Sequence, residues 1–272
     1  MNTFIWFTFD KRIEMLFESM RSVAENVRAE KRFCLIFDAF NINEPVTDVC
    51  FDKIDEIRNK YGIECLVKIS NFDREFNLNG MECIKGMFEA YTQFSEDSTS
   101  VFKIDDDTIV FKDNYINRFL ANDEFQTFGC RKYIYSKYDI DKLYGCFYGM
   151  KNSMINKIRR EANHAASFEE YIEIITKDDI SLMDLPEDCV FATVAKSITS
   201  DYQRLWIPFV LGGGFFAGWQ YKNKTYSNAY RHYDVISFGN RSLVKVDPED
   251  DIDAVIAGIM KEALDEYLET KP

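Results

Sequence analysis

Short apolar runs alternate with longer segments of helical periodicity over the first 110 residues of the chain. The runs have the composition of buried strands, and the segments between them repeat apolar residues every three or four positions. The pattern predicts strands at 3–10, 32–40, 63–70 and 100–111, with helices at 11–27, 49–62 and 79–94. Such alternation predicts a parallel sheet with helices on both faces, which binds ligands at the carboxyl ends of its strands.

The second half of the chain has a less regular pattern. It predicts short strands at 126–139, helical segments within 153–177, strands around a glycine turn in 205–223 and an amphipathic helix at 251–270. No internal repeat or low-complexity tract is found. We therefore predict a single α/β domain with a regular first half and a mixed second half.

The composition is that of a globular protein. The chain has 272 residues, of which 46% are hydrophobic and 15% aromatic, enough for a sizeable core. No apolar run approaches the roughly 18 residues of a membrane span, and Asp10 interrupts the apolar N-terminus too early for a signal peptide. The seven cysteines form no CxxC pair, so we expect reduced thiols. These features predict a soluble protein without membrane insertion, located in the cytoplasm of a bacterium or an infected host cell.

Charge is distributed unevenly along the chain. The net charge is -13, and residues 243–272 contribute nine acidic and three basic residues to it. Residues 131–160 contain eight basic and two acidic residues. The whole molecule would repel a polyanion, whereas the basic segment could attract one. A solvated helix face and a surface for an anionic ligand are both open interpretations of this segment.

Three consecutive aspartates, Asp105 to Asp107, stand where the fourth predicted strand breaks. Adjacent carboxylates repel one another, and their hard oxygen atoms suit Mg²⁺ or Mn²⁺. An EF-hand loop starting at Asp105 would need glycine and glutamate where Val110 and Ile116 stand. A haloacid-dehalogenase phosphatase would need D-x-D-x-T after the first strand, which is also absent. The aspartates therefore suggest a cation that binds a diphosphate.

The stretch "KIDDD" resembles the DxD motif of GT-A fold glycosyltransferases, in the K-x-DDD form of the β1,3-galactosyltransferase and fringe-like families. The upstream segment "FNLNGMECIKGMFEAY" also resembles the segment before DxD in these families. The resemblance implies a GT-A fold, a Rossmann-like nucleotide-binding sheet with helices on both faces and a smaller mixed acceptor-binding part. It divides the domain into a nucleotide-sugar-binding half at 1–120, an acceptor-binding and catalytic half at 121–242 and an acidic C-terminal helix at 243–272.

The resemblance also implies roles for the residues around the motif. Asp107 would bind the metal, Asp105 would contact the metal or the nucleotide ribose, and Asp106 would orient the sugar or the metal shell. The other candidates for donor binding are Lys103, Thr8, Phe9, Asp10 and Arg12, the last four at the end of the first strand. For Arg12, a surface position on the following helix is an equal alternative.

The second half supplies a candidate base and a candidate third metal ligand. Glu187 and Asp188 resemble the ED motif of the same inverting families, in which a carboxylate deprotonates the acceptor hydroxyl. Asp188 is the favoured base and Glu187 its partner, although acids are also ordinary at helix N-termini. The resemblance implies that His232 completes the metal shell, with a purely structural histidine as the alternative.

Two glycine-containing segments could approach a ligand. The segment "LGGGFFAGW", residues 211–219, fits either a sugar-stacking loop or a bulged hairpin. The segment "YGCFYGM", residues 144–150, resembles the acceptor-side loop of GT-A enzymes and has the same two interpretations.

The resemblance implies a metal-dependent hexosyl- or pentosyltransferase that uses Mn²⁺ or Mg²⁺ and a nucleotide diphosphate donor, with a UDP-sugar favoured. The acceptor hydroxyl would belong to a glycan or, as in phage-type DNA glycosyltransferases, to 5-hydroxymethylcytosine in DNA. A non-catalytic nucleotide- or sugar-binding domain of GT-A type is the alternative from another class. A metal-dependent phosphodiesterase or pyrophosphatase is a weaker one. The sequence does not define the oligomeric state.

Overall fold

The structure is a computed structural model that describes residues 1–38, 48–70, 97–132, 142–162, 187–207, 233–238 and 250–271, with isolated positions between 164 and 174. Its strands are β1 (Asn2–Thr8), β2 (Lys31–Asp38), β3 (Cys65–Ser70), β4 (Ser100–Ile104), β5 (Thr108–Val110), β6 (Thr127–Lys132), β7 (Lys142–Lys151), β8 (Arg204–Ile207) and β9 (Val235–Ser237). Its helices are α1 (Ile13–Asn26), α2 (Asp48–Tyr61), α3 (Asn114–Ala121), α4 (Asn152–Ala162), α5 (Glu187–Ile198) and α6 (Ile252–Thr270). The helix predicted at 79–94 and the glycine-rich segment 211–219 lie outside the described residues.

A seven-stranded sheet organises the described part of the chain, with the order β3-β2-β1-β4-β7-β6-β8. The strands β3, β2, β1 and β4 are parallel, as their alternation with helices predicts. The strand β7 is antiparallel to β4 and β6, and β8 is parallel to β6. The predicted α/β fold class is therefore confirmed, and the same sheet continues from the first half of the chain into the second.

Aromatic side chains fill the face of the sheet that α1, α2 and α3 cover. The rings of Phe4 and Phe102 stack on adjacent strands at a centroid distance of 4.9 Å, and Phe128 meets Phe147 edge to face at 5.0 Å. All four side chains are buried in one cluster with apolar residues of the three helices. Because each buried aromatic ring contributes about 2 kcal/mol, this cluster fixes the register of the central strands.

A second, smaller layer begins at the aspartates. The sequence predicts one strand over 100–111 that breaks there, and the structure divides it into β4 in the large sheet and β5 in a two-stranded sheet with β9. The helix α6 covers this small sheet, with Ile109, Ile236 and Met260 buried in their shared core. The turn between β4 and β5 therefore joins the large sheet to the small one, and Val110 and Val235 of the small sheet also pack into the aromatic cluster.

The loop interpretation of residues 144–150 is wrong, because these residues form the middle of β7. The alternative, a bulged hairpin, agrees better with the structure, since β7 pairs antiparallel with β6 across a register shift. Gly149 is required there: a Cβ atom would lie 2.6 Å from the Phe102 ring and 2.7 Å from the Val101 carbonyl oxygen. The close approach of β7 to β4 explains this glycine without a ligand. The helix α3 was not predicted from the pattern, whereas the predicted end of α2 at Gly62, with a φ of 63°, is confirmed.

Among the described residues, no helix has the length and apolar character needed to cross a membrane.

Candidate active site

The three aspartates lie at the carboxyl edge of the sheet, between the ends of β1 and β4. Because β1 and β4 are parallel neighbours, Thr8 at the end of β1 comes beside the turn after β4. The amide of Asp105 donates to the carbonyl of Cys146 at 2.8 Å, and its carbonyl accepts from Ser19 Oγ at 3.2 Å. The amide of Thr108 closes the turn on the same carbonyl, also at 3.2 Å. The backbone of the turn is therefore held from β7 and from α1.

Asp106 points into the protein and has no exposed surface. Its Oδ2 accepts a hydrogen bond from Thr8 Oγ1 at 2.9 Å, and its Oδ1 pairs with Arg12 Nη1 at 3.1 Å. The guanidinium of Arg12 also lies over the Phe9 ring, 4.7 Å from its centroid. The structure thus brings together four predicted donor-site residues, and Asp106 anchors the segment after β1 to the turn. The side chain of Asp10 lies outside the described part.

Asp105 pairs with a fully buried lysine. Lys103 points to the face of the sheet opposite the aromatic cluster, and its Nζ donates to Asp105 Oδ1. The same ammonium lies 5.4 Å from the centroid of the Tyr148 ring on β7. A buried lysine needs a counter-charge, so this pair holds Asp105 close to the sheet. The predicted contact of Lys103 with the donor stays a prediction.

Asp107 is the member of the trio that keeps partial solvent access while forming no salt bridge with a described residue. Its Oδ1 accepts hydrogen bonds from Ser237 Oγ at 3.2 Å and from Thr108 Oγ1 at 3.4 Å. Crowding of its carboxyl by protein atoms raises its pKa to about 7, and repulsion from Asp105 and Asp106 adds to this rise. Arg12 and the Ser237 hydrogen bond lower the same pKa by smaller amounts.

The donor set at this turn fits a divalent cation. Three carboxylates face two buried or half-buried cations, Lys103 and Arg12, so no cation among the described residues is paired with Asp107. Carboxylate oxygens on a partly exposed turn are typical ligands of Mg²⁺ and Mn²⁺. No group of three acidic, histidine or cysteine side chains within the described ranges is arranged to hold a metal. His232, the predicted third ligand, lies outside the described residues.

The predicted base Asp188 lies in the first turn of α5. Three residues further along this helix, the Phe191 ring packs against Tyr148 with a centroid distance of 4.3 Å. Since Tyr148 also contacts Lys103, a short series of contacts connects α5 to the aspartate turn. The side chain of Glu187, the alternative base, lies outside the described part of the chain.

Sequence reasoning missed Ser237 and Tyr148 as parts of this site. Ser237 is 130 residues from Asp107, and the sequence contains no signal that β9 pairs with β5. Tyr148 was included in a segment predicted as either an acceptor-side loop or a bulged hairpin, and its contacts could not be derived from either. The run of apolar and aromatic residues at 143–150, bounded by a lysine on each side, could have indicated a buried strand.

The basic segment is less exposed than its sequence suggests. Lys151 is buried, with its Nζ donating to the Leu120 carbonyl, and Lys157 is half-buried. Arg159 and Arg160 are exposed and line an open cavity of about 630 Å³ together with Ser153 and Asn156. The amide of Asn152 donates to Thr99, before β4 begins, so α4 starts at the end of the sheet opposite the aspartates.

No protein-family model and no curated protein matches this chain. Among solved structures, it is similar to the galactosyltransferase LgtC in complex with donor and acceptor sugar analogs, with 11% identity, a TM-score of 0.56 and coverage of 97% of this chain and 95% of that chain. It is also similar to mouse xyloside xylosyltransferase 1, with 8% identity, a TM-score of 0.53 and coverage of 88% and 98%.

A third similar structure is the glycosyltransferase GlyE of Streptococcus pneumoniae TIGR4, with 10% identity and a TM-score of 0.52. That match covers 99% of this chain but 64% of the GlyE chain, so the present chain spans less than two thirds of GlyE. At these identities the similarity establishes the fold, which is the GT-A fold shared by these glycosyltransferases. The predicted GT-A architecture is confirmed, and the narrower resemblance to the β1,3-galactosyltransferase and fringe-like families stays a prediction.

Proposed function

We propose that this protein is a glycosyltransferase that moves a sugar from a nucleotide diphosphate donor to an acceptor hydroxyl. The observation that carries the proposal is the aspartate turn at the carboxyl edge of a GT-A sheet. In this turn both carboxylate oxygens of the buried Asp106 have protein partners, whereas the Asp107 side chain is partly exposed. A solvated acidic turn would have no need for a buried lysine and a half-buried arginine beneath it. The site therefore supports a role in binding rather than a surface role.

Asp107 and Asp105 would hold the divalent cation, Mn²⁺ or Mg²⁺. When bound, this cation supplies the positive charge that stabilises the leaving diphosphate. The segment Thr8 to Arg12 borders the same turn through Asp106, which supports a role for this segment in binding the base and ribose of the nucleotide. A UDP-sugar is the proposed donor, and either a hexose or a pentose is compatible with this arrangement.

Asp188 is the proposed base for the acceptor hydroxyl, with Glu187 as the alternative. Proton abstraction needs a carboxylate within hydrogen-bond reach of the acceptor oxygen in the ternary complex. The contacts of Phe191 with Tyr148 and of Tyr148 with Lys103 support placing this helix near the donor site. A carboxylate base opposite the leaving diphosphate would produce inversion at the sugar.

The test of this function is a screen for UDP release with Mn²⁺ over panels of UDP-sugars and acceptors. A glycosyltransferase releases UDP much faster when its acceptor is present, and EDTA abolishes this release. A non-catalytic binding domain would bind UDP-sugars and release no UDP. A phosphodiesterase or pyrophosphatase would cleave the donor equally well with or without acceptor, and either result would refute the proposal.

Hydroxymethylated DNA is a second candidate acceptor, favoured by the cavity that Arg159 and Arg160 line. Exposed guanidinium groups bind phosphates, and a net charge of -13 would otherwise repel DNA. Because α4 starts at the end of the sheet opposite Asp107, such an acceptor would have to extend across the protein. A neutral glycan needs no such surface.

The two acceptors are distinguished by reversing charge at Arg159 and Arg160. With a DNA acceptor, the double change to glutamate raises the acceptor KM and flattens its salt dependence, by roughly one power of salt concentration for each phosphate that is no longer neutralised. Lys196→Glu is the control for a single exposed cation elsewhere on the surface. An acceptor KM that changes neither with salt concentration nor with the double substitution excludes DNA as the acceptor.

A further inference from the structure

The carboxylate of Asp107 is held from a strand far away in the sequence. Ser237 Oγ lies 3.2 Å from Asp107 Oδ1, and the amide of the next residue, Phe238, donates to the Asp107 carbonyl at 2.8 Å. The side chain and the backbone of Asp107 are therefore both fixed by the end of β9. Two hydrogen bonds from adjacent residues restrict both the position and the rotation of this aspartate.

The strand that carries Ser237 is held by backbone pairing and by burial of its apolar side chains. It pairs antiparallel with β5, so that Ser237 lies opposite Thr108, Ile236 opposite Ile109 and Val235 opposite Val110. Val235 and Ile236 are buried, and α6 packs over this small sheet. The antiparallel direction brings the end of β9, rather than its beginning, to the aspartate turn. Asp234 at the beginning of β9 instead accepts backbone hydrogen bonds from Phe111 and Lys112.

The two carboxylate oxygen atoms of Asp107 differ in their hydrogen bonds. Both hydroxyl donors, Ser237 Oγ and Thr108 Oγ1, lie within hydrogen-bonding distance of Oδ1. From the residues that the structure describes, no hydrogen bond reaches Oδ2. A carboxylate with one oxygen fixed by donors and the other left open is arranged to bind a cation through a single oxygen.

We propose that Ser237 is a positioning residue for the cation site: its hydroxyl fixes Asp107 Oδ1 so that Oδ2 is presented to the divalent cation. The inference rests on the proposed function, because it takes the cation site as given. It adds that the last part of the chain contributes to this site through a serine hydroxyl that the sequence pattern did not single out.

The experiment is a titration with Mn²⁺ alone, without donor or acceptor, in which the EPR signal of free Mn²⁺ reports binding. Ser237→Thr and Ser237→Val form a matched pair, since both side chains are β-branched, similar in shape and suited to a strand, and only threonine keeps the hydroxyl. We expect Ser237→Val and Ser237→Ala to weaken Mn²⁺ binding about 10-fold, as is typical for loss of a hydrogen bond to a metal ligand, and Ser237→Thr to retain it.

The control is Asp234→Asn, a change at the other end of β9, which should leave Mn²⁺ affinity unchanged. Equal Mn²⁺ affinity of the threonine and valine variants would overturn the inference while leaving the proposed function intact. A wild-type protein that binds no Mn²⁺ would overturn the cation site and the inference together. Urea unfolding of each variant shows whether a loss of Mn²⁺ affinity reflects a loss of folding. A loss that came from folding would not be rescued in the threonine variant.

Discussion

Asp106 and Asp107 are adjacent in the chain but belong to two different regions of the molecule. The region around Asp106 is the edge of the large sheet, where Thr8 and Arg12 occupy both oxygens of a fully buried carboxylate. The region around Asp107 is the small sheet of β5 and β9, where hydroxyl groups contact one oxygen and no described cation forms a salt bridge with it. Two identical residues, side by side in the sequence, therefore differ in role: Asp106 is a structural carboxylate, and Asp107 is the proposed cation ligand.

The substitution Asp107→Asn should have the largest effect of those considered. It removes the proposed ligand charge, so we expect sugar transfer to fall about 10³-fold, which corresponds to about 4 kcal/mol in the barrier. The free energy of unfolding should stay equal or rise, because the change removes a crowded charge that Asp105 and Asp106 repel. Values of kcat/KM and urea unfolding curves measure the two effects. Normal transfer by this variant would remove Asp107 from the site.

Asp106→Asn should mainly lower stability, whereas Asp107→Asn should mainly lower the rate of sugar transfer. It leaves Arg12 without its buried counter-charge, so the free energy of unfolding should fall by about 3 kcal/mol. A double-mutant cycle with Arg12→Met isolates the coupling between the two side chains. If the single variant unfolds at the same urea concentration as the wild type, the two aspartates do not differ in the way that the structure indicates.

Asp188→Asn tests a carboxylate from a third region of the molecule. The amide cannot accept a proton, so we expect kcat to fall about 10²-fold while the donor KM is unchanged. Glu187→Gln is the matched control at the neighbouring position. A loss of activity in the control alone would reverse the assignment of base and partner.

Asp113 is a second carboxylate with a structural role, and its contribution to stability should be smaller than that of Asp106. Burial alone would raise its pKa, but hydrogen bonds from the side chain and backbone of Arg28 bring this pKa below its usual value. A lowered folded-state pKa adds stability above the unfolded-state pKa near 4, and this stability is lost as pH falls through the folded value. Because Arg28 is largely exposed, the contribution is about 1 kcal/mol.

The measurement for Asp113 is urea unfolding of wild type and Asp113→Asn at pH 7 and pH 3. The variant should lose less stability between the two pH values than the wild type, by about 1 kcal/mol. Parallel losses in both proteins would show that Asp113 does not contribute to the acid dependence.

The first half of the fold could be predicted from the sequence because its elements are local. Strands β1 to β4 and helices α1 and α2 each show their periodicity within a short window, and strand–helix alternation determines the parallel order. The aspartate turn could be placed at the sheet edge for the same reason. The strand β7 was missed because its two glycines and its antiparallel pairing depend on neighbours distant in the chain.

The internal partners of the site could not be predicted for a related reason. The bond between Arg12 and Asp106 joins residues 94 positions apart, and the one between Ser237 and Asp107 joins residues 130 apart. Neither pairing leaves a periodic signal in the sequence. The resemblance to DxD enzymes identified the aspartates as a group, but only the packing of the two sheets separates Asp106 from Asp107.

The pairing of β9 with β5 affects the order in which parts of the proposed site can assemble during synthesis. The ribosome adds Ser237 130 residues after Asp107, at a time when β1 to β4 are already available to fold. Until residues 235–237 emerge, β5 lacks β9, its partner strand in the described part of the chain, and Asp107 lacks both hydrogen bonds from the end of β9. In the order of synthesis, the strands of the large sheet therefore come before the residues that support Asp107 in the proposed cation site. Premature termination before residue 235 yields a fragment with all three aspartates and no supported Asp107.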